Sequence, residues 1–219
     1  MDCILSTTYF GPVQWYQKLY RYERVLIERH ETFQKQTYRN RCMIATTQGV
    51  QALTVPVVHG KASPQAATTI ADVRISEHGN WRRLHWQAVQ SAYGESPFFE
   101  YYEDDVRPFF EESRWEFLTD YNEAIRKKMC ELIDIHPSVS WTTEYMGNVA
   151  EAQQKSTGEA QQKGMIDFRD TIRPKHAPID PEFSPLPYYQ VFRQKHGFLP
   201  NLSILDILFN MGPETIFYL

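Results

Sequence analysis

The sequence predicts an α/β fold: a small mixed sheet begun by a βαβ unit, then a helical segment and a Pro-rich C-terminal arm. Three observations carry this reading. Two short apolar runs, residues 3–7 and 24–28, flank a window in which Val13, Tyr16, Leu19 and Tyr20 recur at helical spacing. Two further apolar runs, 42–46 and 52–58, are joined by a short segment containing Gly49. Residues 80–133 then hold three windows of helical periodicity.

Taken in order, the first strand ends in Ser6-Thr7-Thr8, and Pro12 suits the first turn of the helix that runs to about Tyr22. Strand, helix and strand in so short a space imply a crossover and a parallel pair. Residues 47–51 are the expected hairpin loop, residues 59–64 a loop, and residues 70–75 another strand. The helices are expected at 80–93, 98–112 and 117–133, the last capped by Thr119 or Asp120. Residues 139–143 return as a strand. The chain thus divides into an α/β core with a helical half (1–146), an irregular arm (147–187) and C-terminal helices that pack back on the core (188–219). In the arm, Glu-Ala-Gln-Gln-Lys occurs at Glu151 and again at Glu159, and Pro174, Pro178, Pro181, Pro185 and Pro187 punctuate its second half. Short helices are expected at 188–194 and 203–210, the second capped by Asn201 or Ser203 and stopped by Gly212-Pro213.

Composition narrows the function. The 219 residues carry a net charge of −4, against a broad cationic face for nucleic acid. Cys3, Cys42 and Cys130 are odd in number, far apart and without metal-ligand spacing, so neither a disulfide framework nor a metal site is expected, and no cofactor. No apolar window is long enough for a membrane span, and no basic-then-apolar leader opens the chain; the expected location is cytoplasmic.

The chemistry concentrates in residues 28–41, where carboxylates, an imidazole, a lysine and three arginines lie between two strands. Lys35, Arg39 and Arg41, spaced i, i+4, i+6, can converge on one anion such as a diphosphate or carboxylate. The alternative is a solvated connection whose cations pair with Glu28 and Glu31. His30 beside Glu31 could be a base with its orienting carboxylate, although neighbours in an extended segment face opposite ways. His85, one turn after Trp81 and next to Trp86, is either a general base or a satisfied core histidine. Asp206, inside the apolar run 202–209, reads as a buried, partnered carboxylate, with an arginine of the charged stretch as one candidate partner. Cys42 follows Arg41 but sits in a strand, which favours an inert thiol.

Several segments together resemble the WbqC-like family. They are residues 6–12 (Ser-Thr-Thr-Tyr-Phe-Gly-Pro) with Tyr16, residues 34–42 (Gln-Lys-Gln-Thr-Tyr-Arg-Asn-Arg-Cys) and residues 53–57 (Leu-Thr-Val-Pro-Val). Trp81 with His85, Tyr93 with residues 97–99 (Pro-Phe-Phe), and the ending 202–210 complete the set. The resemblance implies a protein of bacterial O-antigen or other surface-polysaccharide gene clusters, for which a glycine or aminoacyl transferase role has been proposed. Many members carry a His-Gln-Pro-like start after the first strand; here Ser6-Thr7-Thr8 stands instead, so a role for that histidine does not transfer. Lys35, Asn40, Arg41, His85 and Asp206 stand at positions that match the family motifs.

Two functions are compatible with these residues. One is transfer of an acyl or aminoacyl group to the amine of a nucleotide-linked amino sugar. Lys35, Arg39 and Arg41 would hold the diphosphate, and His30 or His85, with Glu31, would take the proton. Asn40 and the amides at the start of the Pro12 helix would stabilise the oxyanion, and Tyr9 and Trp86 would stack on sugar or base. The other is a non-catalytic module that binds such a nucleotide-sugar, a glycan or another small anion. Homo-oligomerisation is left open by both.

Overall fold

The computed structural model describes residues 1–58, 68–147, 164–175 and 177–219. In chain order the elements are β1 (Asp2–Ser6), α1 (Val13–Arg21), β2 (Arg24–Glu28), β3 (Arg41–Thr46), β4 (Gly49–Thr54), β5 (Val57–Val58) and β6 (Arg74–Ile75). After these come α2 (Trp81–Tyr93), α3 (Phe99–Val106), α4 (Pro108–Glu111), α5 (Leu118–Leu132), β7 (Val139–Trp141), β8 (Met165–Asp167), α6 (Arg193–His196) and α7 (Ile204–Met211).

The core is a four-stranded sheet in the order β7-β2-β1-β8, with every neighbouring pair parallel. β1 lies inside it and is buried along its whole length, which suits its run Cys3-Ile4-Leu5. The βαβ unit forms as the spacing predicts, with Asp2 to Ser6 in register with Arg24 to Glu28. Among the described residues antiparallel strands pair in two separate ladders, β3 with β4 and β5 with β6, and isolated antiparallel bridges join Pro12 to Ser203, Thr32 to Thr69 and Arg74 to Phe117. The fold is therefore mixed α/β, but the central sheet is not itself mixed.

Departures from the sequence reading have local causes. The hairpin turn is Thr47-Gln48 alone, because Gly49 takes φ +102 and Val50 and Gln51 already belong to β4. β4 stops at Thr54 because Pro56 has no N–H for a ladder, and β5 restarts against β6. Residues 70–72 form a 3₁₀ turn closed by Thr69 and Asp72, leaving only Arg74 and Ile75 as strand. The helix expected at 98–112 is two helices, broken where Pro108 lacks the donor a continuing helix requires. α5 starts after Phe117, and Thr119 and Asp120 lie inside its first turn without capping it. Ser203 does cap α7, accepting from the Leu205 amide.

The 147–187 stretch yields what periodicity missed. Its residues 165–167 are β8, a three-residue edge strand beside β1, and Phe168 donates its amide to Ile4 O at 3.0 Å. Asp180, buried further along, pairs with the fully buried Lys18 of α1 at 2.8 Å and accepts from Gln14. Tyr188 and Gln190 are not helical, and only Arg193–His196 coils after them. The loop at 59–64 and the repeat at Glu151 and Glu159 lie outside the described residues. No helix among the described residues is long and apolar enough to cross a membrane.

Candidate functional site

In parallel sheets ligands bind beyond the carboxyl ends of the strands, where loops diverge. Here those ends bring together Ser6 from β1, Glu28 from β2, Thr142 after β7, Asp167 from β8 and Arg169 just after it. Glu28 has no exposed surface, and four donors surround it. Its Oε1 accepts from the His30 amide (2.8 Å) and Thr142 Oγ1 (2.7 Å). Its Oε2 accepts from the Met146 amide (2.9 Å) and Arg169 Nη1 (3.2 Å). Arg169 in turn donates to Asp167 and to the carbonyls of Met146 and Gly147. A carboxylate this deep is tolerable only when paired and fully bonded, and Glu28 is both.

Beside it lies a second buried pair. Arg39 donates from Nε to Glu31 Oε1 (2.8 Å) and from Nη2 to Glu31 Oε2 (2.5 Å) and Ser6 Oγ (2.8 Å). Ser6 Oγ also donates to Glu31 Oε2 at 3.3 Å. Nη1 of Arg39 carries no bond among the described residues, and neither does the buried hydroxyl of Thr8. Both residues line one narrow cleft with Ser6, Thr7, Tyr38 and Arg169; its free volume of about 10 Å³ has room for one water. Gly11 keeps that hydroxyl accommodated, since a Cβ there would lie 2.4 Å from Thr8 Oγ1.

The cationic cradle expected of residues 28–41 does not assemble. Arg39 turns inward to Glu31, Arg41 sits on β3 and donates to Thr54 Oγ1 across the hairpin, and Lys35 is exposed. Glu31 is correspondingly occupied by Arg39 rather than oriented toward His30. His30 is half-buried with Nε2 3.2 Å from Thr142 O. Asn40 donates to Val55 O, tying the charged stretch to the end of the hairpin. The amides opening α1 are taken as well: Val13 donates to Leu202 O and Gln14 to Asn201 Oδ1, so they offer no oxyanion hole.

His85, Tyr9 and Trp86 belong to the core. Tyr9 Oη and His85 Nδ1 lie 2.9 Å apart, and Tyr9 has no exposed surface, so it cannot stack on a sugar. Burial pulls the His85 imidazolium down to about 4, with the Thr54 carbonyl opposing and Arg82 adding to the effect, so the ring is neutral near pH 7. His85 lines neither the cleft above nor the cavity of about 310 Å³ bounded by Trp81, Arg82, Arg83 and Trp86. Trp86 reaches that cavity, but its ring is stacked on Phe99 and packed against Phe110. Asp206 is fully buried, and its Oδ2 accepts from Tyr188 Oη (2.6 Å) and Gln190 Nε2 (2.9 Å), with the Tyr93 hydroxyl also close; no arginine is among its partners in the described residues. Burial raises its carboxyl above the usual range, and burial likewise lifts the Cys42 thiol, which leaves it inert. Among the described residues no group of three or more His, Cys, Asp or Glu could hold a metal.

Sequence reasoning passed over Thr142 and Arg169 as site residues, took Glu28 only as a carboxylate that pairs surface cations, and took Ser6-Thr7-Thr8 only for its amides at a helix start. The available signal was Glu28 itself, a carboxylate closing an otherwise apolar strand.

The model of the WbqC-like protein family matches residues 7–218. The chain belongs to that family. The match takes in the whole carboxyl edge beyond Ser6, including Thr8, Glu28, Glu31, Arg39 and Arg169. This WbqC-like chain can also be set beside the uncharacterized protein Rv1507c of Mycobacterium tuberculosis (strain ATCC 25618 / H37Rv). The two are 28% identical over 198 residues, 85% of this chain and 83% of that protein. No solved structure matches.

Proposed function

We propose that this WbqC-like protein works in bacterial surface-polysaccharide (O-antigen) biosynthesis, where it binds a nucleotide-linked amino sugar at the carboxyl edge of its sheet. The reaction in this reading is transfer of an acyl or aminoacyl group, glycyl included, to the sugar amine. One observation carries it: Arg39, whose Nη1 makes no hydrogen bond among the described residues, and Thr8, whose buried hydroxyl makes none, both belong to the lining of the narrow cleft beside Ser6. A guanidinium nitrogen and a hydroxyl are donors suited to one phosphate or carboxylate oxygen, which takes the place of the single water the cleft holds while the rest of the ligand lies outside it. A buried, pre-positioned donor contributes more than an exposed one, because it is not exchanged for water. His30, half-buried next to Glu28, is the imidazole nearest this edge in sequence and the candidate base.

A non-catalytic binding role is the second reading, and the sealing of His85 together with the pairing of Glu31 favours it. Titration of the purified protein with UDP- and dTDP-linked amino sugars, then mass spectrometry of the sugar with acyl and glycyl donors, separates the two. Thr8→Val and Arg39→Lys are expected to weaken binding about tenfold each, the worth of one hydrogen bond to a charged group. Undiminished affinity in both variants, or no affinity in the wild type, would sink the assignment. Binding without any mass gain on the sugar leaves the module reading.

A further inference from the structure

A large concavity of the described surface lies away from the sheet edge. It is a groove of about 640 Å³ between α3, the end of α5 and the C-terminal 3₁₀ turn, Gly212–Tyr218. Tyr101, Leu132, Pro213 and Ile216 give it an apolar side, and polar atoms make up about half of the lining. Tyr101 is 75% exposed, and Phe217, next to Ile216, is 76% exposed. A bare tyrosine set in one groove with the partly exposed Leu132 and Ile216 is unlike singly scattered apolar residues, which need no explanation.

The charge at the rim is one-sided. Asp105, Glu131 and Asp134 line the groove and no basic residue does. Lys128, just outside, bridges Asp105 (3.4 Å) and Glu131 (2.9 Å), and His136 lies 3.4 Å from Asp134. Three acids and no basic residue line the groove, so the rim is acidic even with Lys128 paired to two of them. A second copy of this chain docking face to face would bring two such rims together, and like charges across an interface disfavour that pairing.

We propose that this groove docks a basic segment of another protein, one that seats an aliphatic or aromatic anchor between Tyr101 and Ile216 and sets lysines or arginines against Asp105, Glu131 and Asp134. An amphipathic helix is the form that fits, its apolar stripe on the groove's apolar side and its cations along the acidic rim. The site is independent of the cleft at the sheet edge, so it stands or falls apart from the proposed activity.

The test uses the full chain and a synthetic peptide of about 14 residues, with leucines at i, i+3, i+4 and i+7 and lysines on the remaining faces. Controls are a scrambled peptide of equal composition and a version with glutamates in place of the lysines. Calorimetry is expected to give micromolar affinity for the first peptide and at least tenfold weaker binding for both controls. Tyr101→Ser and the double variant Glu131→Lys with Asp134→Lys should each weaken the first peptide at least tenfold, whereas Glu95→Lys, an exposed acid outside the groove, should not. Equal binding of the scrambled peptide, or indifference of the groove variants whose thermal melts match wild type, would overturn the proposal. So would sedimentation showing a dimer that Tyr101→Ser dissociates, since the occupant would then be a second copy.

Discussion

Replacing Arg39 with methionine isolates the energetics of the candidate site. The substitution removes both bonds to Glu31 and the bond to Ser6 Oγ, while the methionine keeps most of the packing volume. What remains is a glutamate whose side chain is 8% exposed, with its countercharge gone. Breaking a buried pair from one side costs about 3–5 kcal/mol, because the surviving charge stays desolvated. Removing both partners is far milder, so Arg39→Met combined with Glu31→Leu should recover most of the loss. With a urea slope of roughly 2–3 kcal/mol per molar, Arg39→Met should lower the unfolding midpoint by more than about 1 M. The double-mutant cycle should then give a coupling of roughly 2–3 kcal/mol. A coupling below about 0.5 kcal/mol would show that the pair is solvent-screened in solution, and the closed geometry of the cleft would go with it.

Other consequences are simpler to test. The His85 imidazole is held neutral by burial, its pKa lowered from 6.5 to about 4. Its contribution is therefore complete above pH 6.5 and is lost as pH falls through 4, roughly 3 kcal/mol at 1.36 kcal/mol for each pH unit. Urea midpoints across that window should lose part of their slope in His85→Gln, and an unchanged slope would refute the buried ring. Gly212 takes φ +54 and a Cβ there would lie 2.6 Å from the Phe98 ring, so Gly212→Ala should cost about 1–3 kcal/mol in a thermal melt. Lys18→Met should cost about 3 kcal/mol by stranding the buried Asp180 carboxylate, which its bonds to Lys18 and Gln14 hold below the usual range against the effect of burial. Lys35 is exposed and lines no part of the cleft, so Lys35→Ala should change neither stability, beyond about 0.5 kcal/mol, nor affinity for an amino-sugar nucleotide.

The elements legible in the sequence are those whose own residues set their burial. β1 and β2 each hold a three-residue apolar run, Cys3 to Leu5 and Val25 to Ile27, and α1 carries a helical stripe between them, so the βαβ unit follows from local pattern alone. α2 and α5 are legible for the same reason. β8 is not, because three residues at a sheet edge take their conformation from Asp2 to Ile4 rather than from any period of their own. The same distinction governs the site. Residues 28–41 announce their charge, but where each head points depends on partners far away in the chain: Ser6 for Arg39, Thr54 for Arg41, Thr142 and Arg169 for Glu28.

That dependence also decides which charges of the stretch can matter chemically. A charge at the end of a parallel strand is close to every other strand end, so Glu28 and Glu31 were placed to find partners around β1, β7 and β8 as soon as the sheet closed. Arg41, on the hairpin, was not, and Lys35 is exposed to water. Spacing of i, i+4, i+6 brings three cations together only if their backbone keeps one curvature, and here it does not: the chain enters β3 at Arg41, where neighbouring side chains alternate faces. Arg39 and Arg41 sit two apart, on the same nominal side, yet Arg39 precedes the strand and turns inward to Glu31 while Arg41 spans the hairpin to Thr54. The inward placing of Arg39 is therefore a product of the sheet's assembly and not of the motif, and the buried Thr8 hydroxyl that lines the same cleft has the same origin.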